Sequence, residues 1–296
     1  MAEKRKKRFG DRRDGFVVRD ITGLQKIMFF IFPKRTESEV CLTDKLDVTE
    51  LMKFLEKKNA SHPEYKTTVF HAFLTAIARC VKERPKLNRF IQGWQMYERY
   101  DITLSFIAKR RFADGAEEAL LTITAQDDDT LDSISHRIYG DVRKTRKSEH
   151  STGGIDEMID KFAKIPRLLL ALVLRLIRYL DFWGINIPAL TEGDTNYASV
   201  LASNLGSIGC PAVYHHLNNY GTNSFMTTLG AIHKEEMLMP DGHKEIRDVV
   251  DFTAILDERI GDGFYFARSL KLVKAMFANP EMFDKPLSEP SGFEYK

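Results

Sequence analysis

One short segment of this sequence brings together the residue types that acid–base chemistry needs. In Leu256-Asp-Glu-Arg-Ile-Gly-Asp-Gly263, Glu258 and Asp262 lie on either side of Arg259, and two glycines permit a tight turn. Two carboxylates can serve as general acid and general base, and a guanidinium can neutralise one of them. The competing interpretation is a charged turn that caps the helix after it, and the residue types alone favour that interpretation.

Histidines offer the other candidate bases. His215 and His216 precede two asparagines in a polar segment, although adjacent side chains on a strand or a helix point in different directions. His71 lies on the apolar face of a predicted helix, where a structural histidine is the more frequent outcome. The sequence has no HExxH motif, no paired-histidine spacing and neither of the two common glycine-rich phosphate loops. We therefore expect no metal site and no nucleotide cradle of those kinds.

Composition and charge narrow the class of protein. Of 296 residues, 43% are hydrophobic and 29% are charged, which are globular values that exclude a disordered or collagen-like chain. The 44 basic and 42 acidic residues nearly cancel, so we expect no nucleic-acid partner. Cys41, Cys80 and Cys210 lie far apart without CxxC spacing, which predicts reduced thiols. Because no apolar stretch resembles a leader or a membrane span, we expect a cytoplasmic location.

The elements that must position these residues show both helical and strand-like spacing. A helix of about fifteen residues is predicted from residue 69 to near Pro85. Alternation over residues 102–108, after the turn Gln92-Gly93, predicts a hairpin between residues 90 and 109. Further strands are predicted at 119–124, 199–203, 225–229 and 249–256, and helices at 132–146 and 264–277. This mixture, with no linker dividing it, predicts one continuous α/β sandwich with a mixed sheet.

The segment 165–183 differs from the rest of the chain. Its only basic residues are Arg167, Arg175 and Arg178, which fall within about 80° of one another on a helix, and most other positions are apolar. Three interpretations fit: a helix packed in a subunit interface, the wall of a pocket for an acyl chain, or a peripheral contact with a membrane. The basic run Lys4–Arg8 is either a solvated tail or a second peripheral membrane contact.

Several segments resemble one protein family in the family's order. Residues 256–263 resemble the DHRxxDG signature of the catalytic domain of dihydrolipoyl acyltransferases, the acyl-transferring component of 2-oxo acid dehydrogenase complexes, and the related HxxxDG of chloramphenicol acetyltransferase. Four further segments resemble the family's first strand and helix, its P-x-LN segment, its ISNLG strand and its closing ENPE. These are Cys41-Leu-Thr-Asp-Lys-Leu-Asp-Val-Thr-Glu-Leu51, Pro85-Lys-Leu-Asn-Arg89, Ala202-Ser-Asn-Leu-Gly-Ser-Ile-Gly209 and Ala278-Asn-Pro-Glu281.

The resemblance implies a fold, an assembly and a reaction. The fold is the two-layer α/β sandwich, with a mostly mixed β-sheet, of the chloramphenicol acetyltransferase-like, CoA-dependent acyltransferases. The assembly is a homotrimer with the active site in a channel between subunits. Coenzyme A or acyl-CoA is the implied cofactor, and a small-molecule acyl donor and acceptor are the implied partners. By position, Ser203 corresponds to the serine that donates a hydrogen bond to the oxyanion, and Asp262 to the aspartate that holds the motif loop by a salt bridge.

Glu258 stands where the family has its catalytic histidine. A histidine with a pKa of about 6.5 is a usable base at pH 7, whereas a glutamate of about 4.3 is a weaker base facing a thiol of about 8.5. A glutamate serves in that place only if desolvation raises its pKa. Three interpretations follow: an acyltransferase with Glu258 as base, an acyltransferase with His215 or His216 as base, and a disabled scaffold that binds CoA, an acyl ligand or a protein partner without turnover.

The resemblance also divides the chain. We expect a basic N-terminal tail over residues 1–19 and an acyltransferase-like catalytic domain over residues 20–296, with an insertion at about 150–197 that has no counterpart of similar length in the family. Because the insertion precedes the Ser203 strand, we expect it to shape a pocket beside the acceptor entrance. The length leaves no room for the lipoyl domain of the multienzyme members, so we expect none in this chain.

Overall fold

Helices and strands occur along the chain much as the sequence predicts. The computed structural model describes residues 6–61, 64–109, 118–147, 164–191 and 193–295; Lys4, Arg5 and the predicted insertion up to residue 163 lie outside them. The strands within these residues are β1 (Gly15–Val17), β2 (Glu39–Asp47), β3 (Arg89–Gln92), β4 (Gln95–Arg99), β5 (Thr103–Lys109), β6 (Glu118–Thr124), β7 (Val200–Asn204), β8 (Phe225–Leu238) and β9 (Lys244–Asp257). The α-helices are α1 (Gly23–Ile31), α2 (Thr49–Ser61), α3 (Val69–Glu83), α4 (Leu131–Lys147), α5 (Arg167–Phe182), α6 (Pro188–Thr191) and α7 (Gly263–Ala278).

The main sheet has six strands in the order β2-β9-β8-β7-β5-β6. Strand β7 runs parallel to both β5 and β8, and the other three pairs are antiparallel, which confirms the predicted mixed sheet. Helices α2, α3, α4 and α7 share one apolar core with one face of this sheet. Phe73 of α3, for example, lies 5.8 Å from the ring of Phe252 on β9 and 6.5 Å from that of Phe277 on α7. One layer of helices on one sheet is a two-layer α/β sandwich.

Helix α3 is the central helix of this layer because it is apolar on almost every side. Every residue from Ala72 to Val81 is buried. The helix ends at Glu83, two residues before Pro85, since proline disfavours helical backbone in the residue that precedes it. The prediction of a fifteen-residue helix is confirmed.

A second sheet, in the order β1-β4-β3, contains a hairpin near the predicted turn, but its second strand is β4 and not the expected β5. Strands β3 and β4 pair across the turn Gly93-Trp94, where φ is 58° and 56°. Positive φ at both positions matches the twist of a two-residue hairpin, although a bulky residue adopts it only under strain. The expected partner, β5, pairs instead with β6 and β7. Alternating hydrophobicity in β5 reports which face is buried and not which strand is the neighbour, so this pairing was predicted wrongly.

The fold begins earlier than the predicted boundary. Strand β1 pairs with β4, and Arg12 is buried beside the ring of Phe90, with 5.5 Å between guanidinium carbon and ring centroid. The tail predicted over residues 1–19 is therefore too long. Arg12 belongs to the domain because it bonds to Asp14 and, far along the chain, to Asp181, and no local pattern in the sequence shows that pairing.

Helix α5 lies in the predicted insertion and is anchored mainly at one residue. The buried carboxylate of Asp181 accepts hydrogen bonds from Arg12 Nη2 and Gln92 Nε2, each at 2.8 Å. By contrast, Leu168 and Leu172 are 80% and 62% exposed. Contact of this face with a second subunit or with a membrane stays a prediction. None of the helices within the described residues is long and apolar enough to span a bilayer.

Candidate active site

The motif loop, residues 256–263, is held by an ion pair within the loop. Strand β9 ends at Asp257, whose fully buried carboxylate accepts hydrogen bonds from Arg259 Nε at 2.8 Å, Arg259 Nη2 at 2.6 Å and Ser38 Oγ at 3.0 Å. Arg259 Nη1 also donates to the carbonyl oxygen of Phe32, just after α1, at 2.6 Å. Arg259 thus neutralises Asp257, and the expectation that it would neutralise Glu258 or Asp262 is wrong. Both charged groups are buried, so the pair gives the loop one geometry.

Glu258 follows this anchor in a short 3₁₀ turn, Glu258–Ile260. Its backbone N–H donates to the carbonyl oxygen of Ser38 at 2.8 Å, which joins the loop to the start of β2. Its half-buried side chain has no hydrogen-bond or ion-pair partner among the described residues. Glu258 is therefore held in place through its backbone, and its carboxylate is not engaged by another side chain in the described ranges.

Asp262 caps helix α7. Its carboxylate accepts a hydrogen bond from the backbone N–H of Tyr265 at 2.8 Å, and the residue is exposed. Within the described part of the chain it makes no salt bridge, so the loop is ordered by the pair Asp257 and Arg259. The role expected for Asp262 is thus corrected, and the capping interpretation is the one that the structure bears out at this residue.

Ser203 lies on β7 at the centre of the main sheet and is 6% exposed. Its parallel partner on β8 is Thr228, whose buried hydroxyl has no hydrogen-bond partner in the part of the chain described. Ser203 Oγ likewise has none among those residues. Neighbouring strands are about 4.8 Å apart, so Thr228 lies directly beside Ser203, with its hydroxyl buried. Thr228 was missed in the sequence because only the β7–β8 register places it beside Ser203.

Gly206, three residues after Ser203, packs directly against β8. A Cβ on Gly206 would lie 2.2 Å from the carbonyl oxygen of Gly230 on β8, so no larger residue fits there without a backbone shift. Asn204 accepts a hydrogen bond from the backbone N–H of Ser207, which starts the following turn. Asn204 and Gly206 of the ISNLG-like segment thus shape the turn that follows Ser203.

Glu258 and Ser203 of one chain do not meet. Ser203 is in register with Thr228, and Thr228 with Thr253 on β9. Glu258 lies five residues beyond Thr253, which is about 17 Å along the strand, and two strands or about 10 Å across. The two residues are therefore separated by about 20 Å within one chain, and they can act together only across a boundary between two copies.

His215 lies on the sheet face opposite the helices, the face that carries Ser203. The carbonyl oxygen of Val213 accepts a hydrogen bond from Thr253 Oγ1 at 2.8 Å, and Leu217 packs on apolar residues of β8 and β9. His215 lies between these contacts, and its Nε2 is buried without a partner among the described residues. Burial, with the adjacent histidine, lowers the pKa of His215. It is thus the candidate base on this face within one chain.

The remaining histidine candidates have other surroundings. His216 is exposed. His71 accepts a hydrogen bond from the backbone N–H of Thr68 at 3.3 Å at the start of α3, and burial lowers its pKa to about 4. The structural interpretation of His71 is confirmed. No group of three His, Cys, Asp or Glu side chains suited to a metal occurs within the described ranges.

A cavity of about 420 Å³ opens beside the motif loop. Its walls include Arg259 and, from α5, Arg175, Arg178 and Tyr179. The predicted insertion therefore does shape a pocket, but with its arginines and aromatic side chains and not with its leucines. Neither Ser203 nor Glu258 is among the residues that line this cavity.

The mixed sheet, its one layer of helices and the anchored loop at the end of β9 define the class as a chloramphenicol acetyltransferase-like sandwich. Solved structures share it. A protein described as a probable dihydrolipoamide acetyltransferase from Listeria monocytogenes superposes with a TM-score of 0.59 at 19% identity, over 88% of this chain and 93% of its own. A chloramphenicol acetyltransferase superposes with a TM-score of 0.53 at 12% identity, over 89% and 99%. The predicted fold is confirmed.

Sequence comparison agrees with the fold. Residues 19–111 match the family described as 2-oxoacid dehydrogenases acyltransferase (catalytic domain). The lipoamide acyltransferase component of the branched-chain alpha-keto acid dehydrogenase complex of Bacillus subtilis is 22% identical over 262 residues, which are 86% of this chain and 50% of that protein. This chain thus spans half the length of that relative. The resemblance to the acyltransferase catalytic domain is confirmed, although the matched residues 19–111 end before Ser203 and Glu258.

Proposed function

We propose that this protein transfers an acyl group from a thioester to a thiol, hydroxyl or amine acceptor. The observation that carries the proposal is the hydroxyl of Ser203, which has no partner in the described residues and lies on β7 of an acyltransferase fold. Hydrogen-bond donors that are already in place can stabilise an oxyanion without reorganisation. Acyl-CoA is the proposed acyl donor, because the carbonyl oxygen of its thioester can accept a hydrogen bond from the Ser203 hydroxyl.

Each residue has one task in the proposed reaction. Glu258 accepts the proton of the acceptor's S–H, O–H or N–H group as the acceptor atom forms a bond to the thioester carbonyl carbon. Ser203 donates a hydrogen bond to the carbonyl oxygen while it holds the displaced electron pair. When the C–S bond breaks, the departing sulfur takes the electron pair and receives a proton from Glu258. The base ends the cycle in its starting state.

The site is proposed to form between copies of the chain in a homotrimer. The separation of about 20 Å between Glu258 and Ser203 in one chain supports this, because the reaction needs both within a few ångströms. The Bacillus relative is itself a component of a multienzyme complex. His215, on the Ser203 face of the same chain, is the competing base. The cytoplasmic location stays a prediction.

Release of free CoA from acetyl-CoA in the presence of thiol, hydroxyl and amine acceptors tests the reaction. We expect Glu258→Gln to lower the rate by about 100-fold or more, since general bases contribute about that much. Ser203→Ala should lower it by a similar factor. Glu56→Gln, which changes an exposed carboxylate on α2, is the matched control and should leave the rate unchanged.

The outcomes separate the three interpretations. If His215→Gln loses activity and Glu258→Gln keeps full activity, the general base is His215. If wild type and all variants release CoA only at the background rate and still bind acetyl-CoA, the proposal of acyl transfer is overturned. That result supports the disabled scaffold.

Mixing two inactive variants tests the shared site. If Glu258 and Ser203 act across a boundary, co-expressed Glu258→Gln and Ser203→Ala chains form some boundaries with both residues intact. Random mixing in a ring should restore about a quarter of the wild-type activity. No recovery, with mixed oligomers shown by mass spectrometry, would place the whole site in one chain.

A further inference from the structure

The cavity beside the motif loop has the size and walls of a small-molecule site. Its volume of about 420 Å³ lies in the range of ligand pockets. It is bounded by the end of α1, the hairpin turn at Trp94, the second half of α5 and Arg259 of the motif loop. Much of its wall is aromatic: Phe29, Trp94, Tyr179, Phe182, Tyr197 and Tyr220.

The charged residues of the cavity wall carry an excess of positive charge. The cations are Lys34, Arg35, Arg175, Arg178 and Arg259, and Asp181 is the one acidic residue among the lining residues. Asp181 is already bonded to Arg12, Arg259 to Asp257, and Lys34 to Glu37. Arg35, Arg175 and Arg178 have no carboxylate partner within the described residues. Arg175 and Arg178 are therefore left without a counter-ion at one cavity, and the carboxylates whose charges act on Arg35, those of Asp257 and Asp181, are each bonded to another arginine.

Arg35 makes this imbalance costly. It is 4% exposed; its Nη2 donates to the carbonyl oxygen of Ile91 at 2.9 Å and to Gln92 Oε1 at 3.2 Å, and its Nη1 donates to the carbonyl oxygen of Asn218 at 3.3 Å. Its Nε is buried without any partner in the described part of the chain. Burial lowers the pKa of this guanidinium to about 10, which still leaves it charged at neutral pH. Asp257 and Asp181 act on Arg35 by their charge, but each is shared with another arginine, so the cavity keeps an excess of positive charge. That excess favours an anion in the cavity.

Trp94 lies in the wall of the cavity and has a strained backbone conformation. Its φ of 56° is unfavourable for a bulky residue, and its ring stacks on Phe30 at 5.5 Å and meets Phe182 edge-on at 4.8 Å. The turn is packed so closely that a Cβ on Gly93 would lie 2.1 Å from the carbonyl oxygen of Phe182. Strain of this kind occurs preferentially at ligand sites. The turn joins α1 to α5 across the mouth of the pocket.

We infer that this cavity binds a small organic anion: a carboxylate or phosphate group held by Arg35, Arg175 and Arg178, on an aromatic or other apolar body that packs against the ring-lined wall. Guanidinium groups match both oxyanions through paired N–H donors, and aromatic walls match a flat body. The inference concerns binding alone, so it stands whether or not the acyl-transfer proposal holds.

Calorimetry with three naphthalene probes tests this site on the full chain. The probes are 2-naphthoate, 2-naphthyl phosphate and 2-naphthol, which share a ring and differ in charge. We expect at least one of the two anions to bind at least tenfold more tightly than 2-naphthol, and the better one identifies the head group. Arg175→Gln with Arg178→Gln should weaken the anions by about tenfold or more and leave 2-naphthol unchanged.

The control is Arg167→Gln, which removes an exposed arginine from the same helix outside the cavity. It should leave all three affinities unchanged. Arg175 and Arg178 are themselves exposed, so their variants should fold, and circular dichroism checks this. Equal binding of 2-naphthol and the anions, no binding of either anion, or full anion affinity in the double variant would each overturn the inference.

Discussion

The motif loop and helix α5 each depend on a buried arginine–aspartate pair, but they use it differently. In the loop the pair is Arg259 and Asp257, two residues apart, and the surrounding segment is buried with it. In α5 the pair is Arg12 and Asp181, 169 residues apart, and most of the helix faces outward. The loop is therefore part of the core, whereas the helix is a separate element fastened to it at one end.

This difference separates what the two regions can do. The loop holds Glu258 through the backbone in one geometry, as the role proposed for it as a base requires. The helix carries the unpaired arginines of the cavity, and its single anchor allows it to be released without unfolding the sheet. Variants at the two pairs should therefore fail in different ways.

The largest expected effect is at the loop. Arg259→Met leaves Asp257 buried without its cation, and breaking a buried pair in this way costs about 3–5 kcal/mol of the free energy of unfolding. Urea denaturation followed by circular dichroism measures it. Lys53→Ala, which breaks an exposed pair with Glu50, should cost less than about 1 kcal/mol. A change below about 1 kcal/mol in Arg259→Met would show that the loop is not part of the core.

A smaller effect is expected at the helix anchor. Arg12→Met should release α5 locally, at a cost of at most about 3 kcal/mol, because the sheet and its core do not depend on the helix. The two tryptophans of the chain, Trp94 and Trp183, both lie next to Phe182 at the end of α5. Their emission should shift to longer wavelength while the circular dichroism of the sheet is kept. Loss of both signals together would contradict a separable helix.

The smallest effect is a dependence of the anchor on pH. Although burial alone would raise it, the hydrogen bond and charge of Arg12 hold the pKa of Asp14 below its ordinary value of 3.8. A lowered carboxyl pKa stabilises the folded state above that ordinary value, and the stabilisation is lost as the pH falls through the folded-state pKa. Tryptophan emission should therefore stay constant down to about pH 4 and shift below it. A shift between pH 7 and 5 would point to other groups.

Much of the fold was readable from local patterns. The spacing of apolar residues predicted α3 because burial repeats with the helical period, and alternation located β5 because one face of that strand is buried; β7 and β9 were predicted as strands as well. The partners of β5 and the place of Arg12 were not readable, since strand pairing and long-range ion pairs leave no local pattern. At the site, motif order located Ser203 and the loop, but Asp257, and not Asp262, proved to be the acid that orders it.

The sequence by itself determined the class of fold, the helices and most strands, and the loop at which chemistry is expected, because these follow from periodicity and from residue types in a fixed order. Only the tertiary structure decided that Thr228 lies beside Ser203, that Glu258 and Ser203 of one chain are far apart, and that Arg35 faces the same cavity as Arg175 and Arg178. Those facts depend on strand register and on contacts between residues more than a hundred positions apart. No local pattern of residues encodes either of them.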